Sequence, residues 1–208
     1  MTPELNPVIS MVVGGADDGF IIIASAKSGG RGMQSQAFPV AEAHAAQAYA
    51  LALSATHNVY IESALQRVAP SPGKRGKEAG ASQFSLVSLD FDGAWGKHAE
   101  DRLPMSPDDL PRLLDAADAW MPSMLLSTGG GLLALWQLEN SLHLPEGDAP
   151  TRQRAKKASV GFQRRLRQTA ETRFGWKLDG TADLCRLIRI PGTLNHKFDP
   201  PKPVEIIG

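Results

Sequence analysis

Short apolar runs, each closed off by turn-forming residues, set the frame for this chain. Phe20-Ile21-Ile22-Ile23 lies between Asp17-Asp18-Gly19 and Lys27-Ser28-Gly29-Gly30, so Gly19 to Ser25 reads as a buried strand. Similar runs predict strands at Asn58 to Ile61, Phe84 to Phe91, Ser123 to Ser127, Leu132 to Leu138, Leu187 to Ile190 and Val204 to Ile207. Ala41 to Leu53, rich in alanine and free of Gly and Pro, predicts a helix. A second spans Leu110 to Trp120, with Asp109 preferred as N-cap because Pro111 then falls in the first turn, and a long basic helix covers Thr151 to Phe174. Strands separated by helices, with hairpin-like neighbours in the middle, predict an α/β (α+β) fold with a mixed central sheet.

At 208 residues the chain can close a core without disulfides or structural metal, and one domain over residues 1–208 is expected. A hydrophobic fraction of 42%, a charged fraction of 21% and no apolar run of bilayer length argue against both disorder and a membrane span. The opening is not signal-like and the one cysteine, Cys185, has no partner, which predicts a reducing cytoplasm. With five scattered histidines no thiolate-rich zinc site can form, so any essential metal is expected to be oxygen-ligated. The net charge of zero argues against electrostatic coating of nucleic acid, yet basic residues gather between Thr151 and Arg189. That stretch reads either as a phosphate-facing surface, with Arg164, Arg165 and Arg167 as candidate DNA contacts, or as a solvated helix face. Pro70 to Gly80, with its Pro, Gly and Lys/Arg cluster, predicts a mobile surface loop.

Three pieces carry chemistry. Leu86-Val87-Ser88-Leu89-Asp90-Phe91-Asp92-Gly93 is an apolar strand ending in two carboxylates. Strand side chains alternate, so Asp90 and Asp92 share a face and Phe91 takes the other. Two like charges held together repel unless a cation or basic partner sits between them, and oxygen ligands on one face suit Mg²⁺ or Mn²⁺. Ser127 to Trp136 sets Gly129, Gly130 and Gly131 between two apolar strands, leaving amides open to a phosphate or a base. The third piece runs from Asp183 through Arg186 and Arg189 to Pro191-Gly192-Thr193-Leu194-Asn195-His196-Lys197. Alone, each has a plain reading: acids facing water, a glycine-rich hairpin, and Asp183 bridged to an arginine.

In this order the pieces resemble the primase-polymerase domains of the archaeo-eukaryotic primase superfamily, found in plasmid, phage and mobile-element replication proteins. Leu89 to Asp92 matches the paired-acid motif, Ser127 to Trp136 the Ser/Gly-rich second motif, and Asp183 to Lys197 the third. The resemblance implies a catalytic core with one cleft, in which Asp90, Asp92 and Asp183 are the catalytic acids and hold two ions, Mg²⁺ or Mn²⁺. It implies contact with nucleoside triphosphates by Ser127, Gly129, Gly130, Gly131, Arg186, Arg189, Asn195 and Lys197. The implied activity is template-dependent nucleotidyl transfer on a DNA template or primer, as DNA primase or polymerase in replication or repair. The chain is then expected to be a piece of a larger replication protein, with a helicase or accessory domain as partner.

One departure matters. Members of that superfamily usually carry a histidine in the strand after the glycines, where this chain has Leu133, which can neither donate to a phosphate nor change charge. A non-catalytic nucleic-acid-binding module of the same fold is therefore the alternative. A nucleotidyltransferase that makes a small signalling nucleotide would share the metal chemistry without needing the basic surface.

Overall fold

The computed structural model describes residues 4–28, 30, 32–96, 100–180 and 182–208. Helix α1 (Pro7–Val13), which the apolar pattern did not announce, is capped by the Asn6 side chain accepting from the Val8 N–H, and ends at Gly14 in the left-handed conformation. Strand β1 (Phe20–Lys27) folds back into β2 (Gln34–Pro39). Helix α2 (Ala43–Leu53) then carries the chain past β1, so that β3 (His57–Glu62) pairs with its other edge. Because β2 and β3 both run antiparallel to β1, the helix crosses over one strand and creates no parallel pair.

Beyond Ser63 the chain continues as β4 (Ala64–Gln66), which pairs with the long strand β5 (Ala81–Asp92), whereas β3 pairs with β8 (Leu187–Arg189). The handover is pinned at Ser63, whose N–H donates to the Arg186 carbonyl and whose hydroxyl donates to that of Leu184. From that point β5 and β8 diverge, and a cleft opens between them. After α3 (Asp109–Ala116), β6 (Met124–Ser127) and β7 (Gly131–His143) form a hairpin whose β7 edge pairs with β5. Helix α4 (Ala149–Thr169) widens into a π-helical turn at Ala170–Phe174. Strands β9 (Leu194–Asn195) and β10 (Lys202–Pro203) form a small ribbon, and β11 (Glu205–Ile206) adds to β6. The large sheet runs β11-β6-β7-β5-β4-β1-β3-β8 with β2 beside β1. The chain thus adopts the expected α+β architecture, but the central sheet, expected to be mixed, is antiparallel throughout the described strands.

Alternation on β5 and β7 explains the layers. Leu89, Phe91, Leu132, Ala134 and Trp136 pack against Leu110, Leu113 and Leu114 of α3 and Leu166 of α4. Leu86, Leu133 and Leu135 face the opposite way, toward Val8 and Ile9 of α1 and Ala46 and Ala50 of α2. With both faces covered, β7 reads as a continuous apolar run from Leu132 to Trp136, and each fully buried large side chain stabilises by roughly 1.5–3 kcal/mol. Toward its end β5 outruns this core: Leu86 is fully buried, whereas Asp90 and Asp92 on the same face are only partly covered. Helix α3 is shorter than expected, and Asp108 takes the cap position. The carboxylate of Asp109 instead accepts from the Met105 and Ser106 N–H groups and pairs with Arg112. Among the described residues no helix is long and apolar enough to cross a membrane.

Candidate functional site

The cleft between β5 and β8 has a volume of about 510 Å³. Asp90 and Asp92 both line it, as their shared strand face requires, and their cross-strand neighbours on β7 are Leu133 and Gly131. A Cβ at Gly131 would stand 2.9 Å from Asp92 Oδ1, so glycine lets that carboxylate lie against β7. Asp90 Oδ2 accepts from Arg186 Nη2, which sets a guanidinium beside the acid pair. The repulsion expected between the two carboxylates is relieved in this way.

The facing wall is built around Arg189, only 7% exposed. Asn58 Oδ1 accepts from its Nη1 and Nη2 at 3.2 and 3.3 Å, Asn195 Oδ1 from Nη2 at 2.8 Å and the Tyr60 hydroxyl from Nη2 at 3.2 Å. The guanidinium also lies over the Tyr60 ring, 4.8 Å from its centroid. All of these hydrogen-bond partners are neutral, and burial holds the Arg189 pKa below the usual arginine value. The nearest formal negative charge that acts on it is that of Asp90 across the cleft, so the guanidinium has room to receive an anion. Asn195 links the walls: its Nδ2 donates to the Thr128 carbonyl at 2.6 Å while its Oδ1 also accepts from the Lys197 N–H. Lys197 and Gly130 complete the lining expected from the sequence.

Other expected residues fall elsewhere. Ser127 pairs with Leu132 and Glu205 in the sheet, and its neighbour Thr128 takes the place in the cleft. Gly129 is tied by its carbonyl to Lys202 Nζ. Asp183 is exposed and lies outside the cleft wall, and its charge acts on Glu62, Lys156 and Cys185. The acid that lines the cleft from this part of the chain is Asp179. Arg164 and Arg167 line a common small pocket, whereas Arg165 lies over Phe162 at 5.9 Å. Tyr60, Asn58, Thr128, Asp179 and Phe198 were not marked as site residues by motif spacing; Asn58 and Tyr60 could have been found as polar positions within an apolar strand.

Behind the cleft, a bracket holds the segment before β8. Fully buried Glu62 accepts from Arg75 Nε at 3.2 Å and from the Gly76 N–H at 2.9 Å, while Arg75 Nη2 donates to the Cys185 carbonyl at 2.6 Å. The segment expected to be a mobile loop is therefore fastened to β3 through Glu62, and to the irregular segment that leads to Arg186 through the Cys185 carbonyl. Burial raises the Glu62 pKa against the opposing pull of Arg75 and pushes the Cys185 thiol up to about 12, so that thiol stays protonated.

Among the described residues no three of His, Cys, Asp or Glu gather closely enough to hold a metal ion. Two strand-borne carboxylates in an open cleft, already drawing a guanidinium, suit a Mg²⁺ or Mn²⁺ ion that takes one or two carboxylates and fills its shell with substrate oxygens.

No protein-family model matches the chain, and no curated protein does. Solved structures do. The archaeo-eukaryotic primase domain of the cyanophage S-2L primase-polymerase is 14% identical with a TM-score of 0.53, over 91% of this chain and 81% of that one. The catalytic domain of primase RepB', solved with initiator DNA, is 16% identical with a TM-score of 0.52, over 97% of this chain and 82% of that one. A further structure of primase RepB' is 15% identical with a TM-score of 0.52, over 97% of this chain and 55% of that one. The chain therefore has the fold of archaeo-eukaryotic primase-polymerase catalytic domains.

Proposed function

We propose that the chain catalyses template-dependent nucleotidyl transfer on DNA, with Asp90 and Asp92 as the catalytic carboxylates and Arg189 as the seat of the incoming triphosphate. The observation that carries this reading is the pairing of opposites across one cleft: a buried guanidinium with neutral partners faces two strand-borne acids. A polyphosphate would supply an anionic hydrogen-bond partner in place of neutral ones, and Lys197 and the Gly130 backbone extend the binding surface along the same lining. Arg186 Nε is buried without a hydrogen-bond partner among the described residues, a further donor beside Asp90.

Asp90 and Asp92 would hold the divalent cation, which supplies a Lewis acid for the attacking hydroxyl and the leaving phosphates. The protein's own part is positioning: Arg189, fixed by Asn58, Tyr60 and Asn195, orients the triphosphate in line with the attacking hydroxyl. Asp183 would join the acid pair only through a movement of the segment that bears it toward β5. The neighbours' names support this reading, since they are primase-polymerases and one is bound to initiator DNA. A helicase or accessory domain remains part of the proposal for a longer protein.

The test is extension of an annealed primer with deoxyribo- or ribonucleoside triphosphates, with Mg²⁺ or Mn²⁺. Template-directed incorporation is expected, and its absence with every nucleotide and metal overturns the reading. Leu133, 3% exposed and directly across from Asp90, favours a second reading, because a side chain without a donor lies where nucleotide contact is expected. DNA binding without any turnover would establish that non-catalytic module.

A further inference from the structure

A second feature lies along α4, outside the cleft. The π-helical turn ends at Gly175 in the left-handed conformation, and the chain reverses so that the Trp176 N–H donates back to the Ala170 carbonyl. This reversal stacks Trp176 on Phe174, with ring centroids 4.3 Å apart and planes 13° from parallel, while the Arg112 guanidinium lies 5.5 Å from the Phe174 centroid. Both rings are only partly buried, unlike Phe91 beneath them, which is fully enclosed. Trp176 also lines a pocket of about 240 Å³ with Arg164, Arg167, Gln168, Lys177 and Leu178, with Glu171 as its acid.

Arg167 is committed to the fold, donating from Nε to the Leu178 carbonyl at 2.9 Å, and Lys177 is shared with Glu100 at 2.6 Å. Arg164 is exposed. The pocket and the catalytic cleft are one residue apart in the chain: Leu178 lines the first and Asp179 the second. Two stacked rings, Phe174 and Trp176, therefore lie between Arg112 and Arg164, and the pocket that holds Trp176 and Arg164 ends one residue along the chain from the cleft lining. A solvated basic helix face needs no aromatic platform, and a core aromatic needs no ring of cations. Single-stranded nucleic acid uses both, because each base offers a π-face and each linkage a negative charge.

We infer that this pocket is a stacking subsite for one base of a single-stranded polynucleotide leading into the cleft, with Trp176 as the platform and Arg164 on an adjoining phosphate. The inference deepens the proposed function by assigning a path to the template or primer strand. Its test needs neither triphosphate nor catalysis, so failure of primer extension and failure of this inference are separate results.

The experiment measures fluorescence anisotropy of a labelled single-stranded oligodeoxynucleotide, and of an abasic oligomer of equal length, over a series of salt concentrations. Trp176→Leu, which keeps an apolar side chain against Phe174 and Phe91, is expected to weaken the intact oligomer about tenfold while leaving the abasic one within about twofold. Trp176→Phe is expected to restore most of the loss. Arg164→Ala, at an exposed position, is expected to weaken both oligomers alike and to reduce the salt slope by roughly 0.7. Equal losses on intact and abasic oligomers for Trp176→Leu, or an unchanged salt slope for Arg164→Ala, would overturn the inference.

Discussion

The two walls of the cleft are held in place by different means. Asp90 and Asp92 take their direction from the backbone: the β5–β7 ladder runs unbroken from Leu86 to Asp92, and strand alternation alone turns both carboxylates the same way. Arg189 also stands in a ladder, opposite Tyr60 in the β3–β8 pairing, but its guanidinium is aimed by side chains: Asn58 and Tyr60 lie 131 and 129 residues before it, and Asn195 follows it. A wall set by a ladder tolerates the loss of one side chain without moving its neighbours. A wall set by a hub transmits each loss to the group at its centre.

The sharpest way to break this comparison is Asp92→Asn. If the acid wall acts through charge on a backbone-fixed site, incorporation should fall on the order of 10³-fold while the melting temperature stays close to wild type, since the amide is nearly isosteric. Primer extension and thermal melting on the same preparation check both halves. Retention of a tenth or more of the activity would remove Asp92 from the chemistry.

A smaller effect is expected on the basic wall from Asn58→Ala. One oxygen of Asn58 accepts from both Arg189 Nη groups and from the His196 N–H at 3.0 Å; Nη2 keeps Asn195 and Tyr60, so removal of that oxygen strands Arg189 Nη1 and the part-buried His196 N–H. A stability loss of about 1–3 kcal/mol is expected from each buried donor left unpaired, together with roughly tenfold weaker triphosphate binding as Arg189 loses its aim. Chemical denaturation and a nucleotide titration read the two effects. Unchanged nucleotide affinity in a folded Asn58→Ala protein would show that the hub does not aim Arg189.

What could be read from sequence follows the same division. Alternation along Leu86 to Asp92 predicts the shared face of the two acids, and the glycine run predicts a turn with open amides, because both are local consequences of backbone geometry; that Gly131 lies against Asp92 is a finding of the structure. The hub around Arg189 joins Asn195 of the same motif to Asn58 and Tyr60, whose separation from it in the chain no local spacing can bridge. A one-residue shift at the end of β6 turns Ser127 into the sheet and gives the cleft Thr128. Asp183 precedes β8 in irregular chain, where no periodicity fixes a direction, and the structure turns it toward Glu62 and Lys156. Helix α1 and strand β2 escaped because one is short and the other, Gln34-Ser35-Gln36-Ala37, is too polar to read as a strand. The Pro70 to Gly80 segment has the composition of a mobile loop, and composition cannot reveal that Arg75 meets a buried carboxylate.

That carboxylate offers the finest test of how the basic wall is supported. Burial, the largest influence on Glu62, raises its pKa above the ordinary 4.5, with Arg75 and the Gly76 N–H opposing and Asp183 adding slightly to the rise. Above pH 4.5 the unfolded chain has already released this proton, whereas the folded chain keeps it until the raised value is reached. The folded state therefore binds more protons across that window, and stability must fall as pH rises through it. Below 4.5 both states are protonated and the contribution is fully present. Glu62→Gln cannot titrate, so the difference in melting temperature between wild type and Glu62→Gln should move against the wild type as pH rises from 4.5, then level off above the folded value. Groups common to both proteins cancel in that difference. Calorimetric melting at intervals from about pH 4 to 8 reads it directly. Parallel curves across the whole range would mean that Glu62 meets no net burial cost, and that the bracket from Arg75 to the Cys185 carbonyl holds the Arg186 segment without a strained carboxylate beneath it.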